Sequence, residues 1–284
     1  SIHSFPTRRS SDLGLAALIM AMIEVSKSGI ILEGDLIFAA TAGEEVDCIG
    51  ANIMVADGSL SDAGAMIIAE PSGGEIFVTH KGALWLEVTS YGKTAHGSMP
   101  EHGINAIDNM NYFINALHNK FKFKYKEDSL LGGPTLNVAT ISGGVQVNVV
   151  PDMCKLQVDI RTVPGQDHKE ILSDIKVLLA EIESDSSAKF DVKVFNDKVA
   201  LKNKSDDQFI KLALDTATEL FGSEYKGEGV TYCTDASIFV PSFDNNLSVI
   251  VCGPGEETQA HKPNEYVITR DRKSTRLNSS HQYY

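Results

Sequence analysis

Asp35-Leu36-Ile37-Phe38-Ala39-Ala40-Thr41-Ala42-Gly43-Glu44-Glu45 changes character along its length. The part through Thr41 is apolar and β-compatible, which predicts a strand, and at Gly43 it gives way to two adjacent carboxylates. Successive side chains of a strand point to opposite faces, so neighbouring glutamates near a strand end can serve different targets. One can hold a metal while the other faces a water or a substrate. Two carboxylates buried together without a cation are costly, because like charges repel and desolvate poorly. On these residues alone, a solvated pair at the start of the next helix fits equally well.

A second carboxylate in the same setting favours a site. Ala63-Gly64-Ala65-Met66-Ile67-Ile68-Ala69 reads as another buried strand, and Glu70-Pro71-Ser72 follows it. Pro71 cannot continue a central strand, so Glu70 is placed at its end. In α/β sheets the carboxyl ends of strands are where ligands bind. A third strand-like run, Leu247 to Cys252, leads through Gly253-Pro254-Gly255 into a loop carrying His261. Two strand-end glutamates and a loop histidine make an oxygen-and-nitrogen donor set suited to zinc or a similar divalent ion. Glu45, Glu70 and His261 are therefore expected to converge.

Five runs appear in a fixed order: Thr41-Ala42-Gly43-Glu44-Glu45, Ala69-Glu70-Pro71-Ser72, Gly92-Lys93-Thr94-Ala95-His96-Gly97-Ser98, Tyr232-Cys233-Thr234-Asp235-Ala236, and Gly253-Pro254-Gly255 through His261. Together they resemble the dinuclear zinc amidohydrolases and metallopeptidases that include acetylornithine deacetylase, succinyl-diaminopimelate desuccinylase, aminoacylase and some carboxypeptidases. The resemblance implies Glu44 as general base and Glu45, Glu70 and His261 as metal ligands. It implies two Zn2+ ions per active site, with Co2+ or Mn2+ as alternatives. His96 would come from the lid of a neighbouring subunit and help polarise the scissile carbonyl, and Arg161 and Asn148 would contact substrate. Asp235 matches a family aspartate near the site to which no direct chemical role is assigned. His80, His102, His118 and His168 have no comparable context and read as solvated.

The two ends differ from the rest. His3 to Leu13 and Asp271 to His281 resemble in-frame translations of short-read sequencing adaptors, so residues 1–13 and 271–284 are read as non-native tails and set aside. Gly14-Leu15-Ala16-Ala17-Leu18 resembles the back half of the family's Asp-Met-Lys-Gly-Gly-Leu-Ala-Ala-Leu stretch. Its bridging Asp aligns with Ser10, and Asp12 is out of register. The His-x-Asp motif that precedes it in the family is absent. The expectation is a truncated and itself inactive chain whose full-length parent is a hydrolase.

Between the ends the pattern is a layered α/β domain interrupted by an inserted one. Residues 14–76 read as the first part of the catalytic domain, with an apolar helix from Leu15, the two strands above and a short helix after Gly50. Strands at Ala83–Thr89, Thr135–Ile141, Val145–Val150, Lys155–Arg161 and Phe190–Phe195 follow, with helices striped by Ile107, Met110, Ile114, Leu117 and by Ile171, Ile175, Leu178, Leu179, Ile182. The second helix opens on an Asp167/Glu170 capping box. Strand, helix, strands, helix and strand give a split βαββαβ, ferredoxin-like α+β unit over 77–198. It resembles the family's lid or dimerisation domain, which implies a homodimer. Residues 199–270 return to the α/β domain, with Ser205 and Gln208 capping a helix.

Composition narrows the partners. Net charge is −13, and without the two ends 20 basic and 36 acidic residues remain, a net −16. Such acidity disfavours nucleic acid and anionic membranes, and no apolar run is long enough to span a bilayer. Four scattered cysteines, none in a Cys-x-x-Cys pair, fit reduced thiols in the cytoplasm. The expected activity is hydrolysis of an N-acyl amino acid of deacetylase or desuccinylase type, by metal-activated water with Glu44 as base. A metallo-dipeptidase or carboxypeptidase acting on short peptides is the rival enzyme, and a non-catalytic dimerising binding protein the rival from another class.

Overall fold

The computed structural model describes residues 9–259 except 245. Elements follow in the order α1 (Arg9–Ser28), α2 (Ile49–Asp57), β1 (Ala65–Ile68), β2 (Ile76–His80), β3 (Gly82–Tyr91), α3 (Ala106–Asn119), β4 (Thr135–Gly143) and β5 (Met153–Thr162). They continue with α4 (His168–Asp185), β6 (Lys189–Lys198), β7 (Leu201–Lys202), α5 (Gln208–Phe221), β8 (Gly227–Val230), α6 (Ala236–Ser242) and β9 (Ser248–Val251). The chain divides into two compact units. One holds the described residues up to Thr79, Lys202–Val230 and those from Thr234 onward; the other holds His80–Leu201 with Thr231–Cys233. The fold is a mixed α/β arrangement in which one unit interrupts the other.

The interrupted unit is built on a mixed sheet ordered β1-β9-β2-β7, with β8 paired to β2. β1 and β9 run parallel, from Ala65↔Ser248 to Ile68↔Val251. Helix α5 packs Phe209, Ala213 and Ala217 against Ile76 and Ile250 of the sheet, the i, i+4, i+8 stripe expected of a helix with one buried face. Its N-cap is Asp207, whose carboxylate accepts from Ile210 N at 3.1 Å, not Ser205 as the sequence suggested. A carboxylate directly before the helix supplies the acceptor that the orphan N–H groups require. Asn203 staples two strands: its Nδ2 donates to Val78 O and Val249 O at 2.7 and 2.6 Å, and its Oδ1 accepts from Val249 N at 2.8 Å.

The strand predicted over 35–41 does not form. Residues 35–43 make no ladder among the described residues, and Leu36 and Ile37 are 52% and 55% exposed. An apolar β-compatible run states a preference for side-chain environment, whereas a strand exists only where a neighbouring backbone offers hydrogen bonds. Helix α1 opens at Arg9, so helix overlaps the adaptor-like stretch over residues 9–13.

The inserted unit runs β3-α3-β4-β5-α4-β6, the split βαββαβ order read from the sequence. Its four strands are ordered β4-β5-β3-β6 and every pair is antiparallel. Leu84, Leu86 and Val88 of β3 point into a core shared with α3 and α4, while Trp85 and Glu87 between them lie on the other face, as period two requires. Asn105 caps α3 by accepting from Ile107 N and Asp108 N, and Asp167 caps α4 by accepting from Lys169 N. The strand expected over Val145–Val150 is instead the loop between β4 and β5, where Val145 is 82% exposed and Val147 fully exposed. Only Val149 pairs, in an isolated bridge to His96.

Two histidines expected to be solvated are buried in this unit. His80 is wholly buried with Nδ1 2.9 Å from Lys81 O, and burial pushes its pKa down to about 4. His168 lies with Nδ1 2.6 Å from Asp197 Oδ1 and Nε2 2.8 Å from Thr162 Oγ1, tying the start of α4 to β5 and β6. That bond holds the Asp197 carboxyl below the usual carboxylate range. His102 and His118 are exposed, as expected. All four cysteines are free thiols, and no helix of the described residues is long and apolar enough to cross a membrane.

Candidate active site

The carboxyl ends of β1 and β9 lie side by side, and the loops that leave them are laced together. Cys252 N donates to Ile68 O at 2.9 Å, Ser72 N to Gly253 O at 3.1 Å and Gly73 N to Gly255 O at 2.8 Å. The buried Ser72 hydroxyl donates to Glu75 O at 2.7 Å and accepts from Gly253 N at 3.2 Å. Gly253 is needed here, because a Cβ at that position would stand 2.7 Å from Glu70 O. Glu70 thus occupies the strand-end position read from the sequence, partly buried, beside the loop that leads towards residue 261.

Glu44 and Glu45 sit on a turn, not at a strand end, so strand alternation does not separate their directions. Gly43 adopts φ +81°, and its carbonyl accepts from Val46 N, Asp47 N and Cys48 N at 3.1, 3.0 and 2.7 Å. The turn closes on α2 through Gly50 N to Ala42 O at 2.9 Å. Glu44 is partly buried, Glu45 exposed and Cys48 fully buried. On the near side of the turn, Thr41 Oγ1 donates to Asp235 Oδ2 at 2.6 Å. Asp235 is 6% exposed, and its other oxygen, Oδ1, is buried without a hydrogen-bond partner.

The other three residues singled out from the sequence lie in the inserted unit. His96 Nδ1 accepts from Ser98 N at 3.2 Å and is 2.8 Å from Ser98 Oγ. A backbone N–H can only donate, so Nδ1 is the accepting nitrogen in this arrangement and Nε2 faces away from the bond as the available donor. The exposed His96 loop is joined to the Asn148 loop by Gly97 N to Asn148 O at 2.7 Å and Val150 N to Ala95 O at 2.9 Å. His96 and Asn148 are therefore carried on one finger. Arg161 is engaged with Asp159 two residues before it on the same strand face, Nε to Oδ1 at 2.9 Å and Nη2 to Oδ2 at 3.1 Å. Trp85 Nε1 also donates to that carboxylate at 2.9 Å. Guanidinium N–H groups remain for a second anion.

Ser98 and Asp159 are partners that sequence reasoning passed over. Their spacing of two from His96 and Arg161 was the available signal.

A metal is implied by the resemblance. Glu45 and Glu70 supply carboxylate oxygens, a donor type that zinc, manganese and cobalt accept. Among the described residues no group of three or more His, Cys, Asp or Glu side chains is gathered to hold an ion. His261, the third expected donor, lies outside the described residues. The donors present suit a divalent cation in kind and fall short, in number, of the three protein ligands usual for catalytic zinc.

Residues 78–186 match the peptidase dimerisation domain. Across 92% of its length the chain is 31% identical to a probable succinyl-diaminopimelate desuccinylase of Staphylococcus aureus, covering 72% of that protein. It is 29% identical to an acetylornithine deacetylase of Buchnera aphidicola, over 89% of the chain and 65% of the relative. Among solved structures, aminopeptidase PepT from Bacillus cereus superposes with a TM-score of 0.73 at 22% identity, over 93% of this chain and 67% of that one. The Bacillus subtilis YXEP protein, described as a dinuclear metal-binding peptidase of the M20 family, gives 0.72 at 17% identity, over 93% and 68%.

Proposed function

The chain belongs to the M20 metallopeptidase and amidohydrolase family, and from that premise we propose that it hydrolyses the amide bond of N-acyl amino acids, as a deacetylase or desuccinylase. The observation that carries this reading is the 31% identity to a probable desuccinylase over 92% of the chain. Glu45, Glu70 and His261 are the proposed ligands of a pair of zinc ions. When bound, such a pair lowers the pKa of a water toward about 7 and polarises the carbonyl.

The chain's own residues do the rest. Glu44 takes a proton from the water that attacks the carbonyl carbon and hands it to the amine nitrogen as the C–N bond breaks. The products are a carboxylic acid and a free amino acid. His96 donates through Nε2 to the carbonyl oxygen as charge builds there. Arg161 and Asn148 hold the substrate's carboxylate and amide, Arg161 through the N–H groups that Asp159 does not use. The inserted unit would pair two copies through the open edge of β4 or the partly exposed Ile107 face of α3, and the finger bearing His96 and Asn148 would serve the neighbouring subunit's site. A cytoplasmic location suits small acylated metabolites as substrates.

The enzyme from the full open reading frame containing this sequence is the material for the test, with zinc or cobalt added. N-succinyl and N-acetyl amino acids are expected to be cleaved with kcat/KM at least about tenfold above that for unblocked di- and tripeptides, a margin set by contacts to the acyl group. A similar margin in favour of the peptides would make it a peptidase and overturn the proposal.

A further inference from the structure

We propose that Asp235 is a positioning residue whose bond to Thr41 holds the Gly43–Cys48 turn, and with it Glu44 and Glu45, in place. The catalytic consequence rests on the roles given above to those two glutamates; the mechanical one does not.

Four observations lead here. Asp235 stands at the N-cap of α6, yet its side chain caps nothing: the first free N–H there, Ala236 N, is taken by Thr234 Oγ1 at 3.2 Å. The carboxylate is instead turned to Thr41, 194 residues earlier in the chain, at 2.6 Å. It is buried, at 6% exposure, and Oδ1 is left buried and unpartnered. Burying a carboxylate with so little compensation is unfavourable, and such a residue is commonly retained for what it positions rather than for the stability it adds. Finally, the segment leading to Thr41 is in no ladder among the described residues, so sheet pairing does not fix where the turn begins.

The geometry then divides the work. Beyond the turn, α2 packs against α6. Before it, the Thr41 hydroxyl is bound to the residue that starts α6. One short helix thereby grips both sides of the turn. The turn itself is braced internally by the Gly43 carbonyl, so it moves as a unit if one grip is released. Cys48 ends this turn, fully buried, with Sγ 3.4 Å from Glu44 O. Its thiol reports whether the turn is seated.

The experiment labels native protein from the full open reading frame with iodoacetamide and follows each cysteine by peptide mass spectrometry. Thr41→Val and Asp235→Ala are each expected to speed Cys48 labelling by about tenfold, the change in local opening expected when a hydrogen bond to a charged group is lost. The double variant should label no faster than either single one. Asp235→Asn keeps an acceptor for Thr41 and should label within about twofold of the parent. Cys154, buried in the other unit, should not change in any of them. In turnover assays the first two variants should lower kcat while KM stays within about twofold, the pattern of a misplaced base. Unchanged Cys48 labelling, additive single effects, or Cys48 and Cys154 rising together would overturn the positioning role. If no variant or parent hydrolyses N-acyl amino acids, the hydrolase reading fails while the labelling result still decides the clamp.

Discussion

Replacing Glu44 by Gln is expected to lower turnover by on the order of 10²–10⁴, the usual contribution of a positioned general base. Gln keeps the length of the side chain and its hydrogen-bonding reach, and it removes the carboxylate that must accept and return a proton. Glu44 is partly buried on a turn held by backbone bonds to Gly43 O and Ala42 O, and an isosteric change of the side chain leaves those bonds in place. KM should change by less than about threefold, because binding in the ground state does not use the base. The thermal midpoint should stay within about 2 °C, since a near-surface isosteric change is worth about 0.5 kcal/mol or less. Steady-state kinetics of the two proteins, with differential scanning calorimetry alongside, check this. A Glu44→Gln enzyme with parental kcat would remove Glu44 from the chemistry.

Phe113→Ala is expected to destabilise the inserted unit by about 3–5 kcal/mol, the usual cost of removing a buried aromatic ring. Phe113 is 1% exposed at the centre of α3's buried face, and its ring centroid lies 6.1 Å from that of Phe190 on β6. Truncation would leave a void between the helix layer and the sheet, with the capped helix and the antiparallel ladder both resisting collapse. For a unit of this size the loss corresponds to a fall of roughly 10–20 °C in its thermal transition. Val145→Ala, at an exposed loop position, is the matched control and should change stability by less than about 0.5 kcal/mol. Chemical denaturation followed by circular dichroism measures both. A loss below about 1 kcal/mol at Phe113 would mean that this core is not the one that holds the unit together.

The same contrast between pattern and partner explains what could be read from the sequence. The inserted unit was legible because period two in β3 and the helical stripes of α3 and α4 are carried by the residues themselves, and Asp167 stands where a cap belongs. Val145–Val150 has a similarly apolar composition and becomes a loop, because the ladder bonds it would need are made by Met153–Thr162 instead. Residues 35–41 fail as a strand for the related reason that no described strand pairs with them. Asp207 and Ser205 compete for one cap within three residues, which composition cannot resolve. His168 was read as solvated because Asp197, 29 residues on, becomes its neighbour only on folding, and His80 because its complete burial comes from packing, not from its bond to the adjacent Lys81 O.

The positions of the candidate residues were legible only in part. Glu70 could be placed after β1 by Pro71, whereas Glu44 and Glu45, read at a strand end, sit on a turn because no strand forms before them. The Arg161–Asp159 pair also follows from period two, since residues two apart share a strand face. What the sequence could not supply was the bond from Thr41 to Asp235, which joins residues 194 apart. Long-range pairs of this kind carry no local periodicity, so they emerge only with the fold.

Metal dependence is the most direct test of the catalytic reading. Protein from the full open reading frame would be stripped with a chelator and its hydrolysis of an N-succinyl amino acid followed as Zn2+ is returned stepwise. The account predicts negligible activity without metal, recovery that levels off near two equivalents per chain, and a weakened response in Glu45→Ala and Glu70→Ala. Full activity in the stripped protein, with metal content confirmed as absent by mass spectrometry, would contradict it.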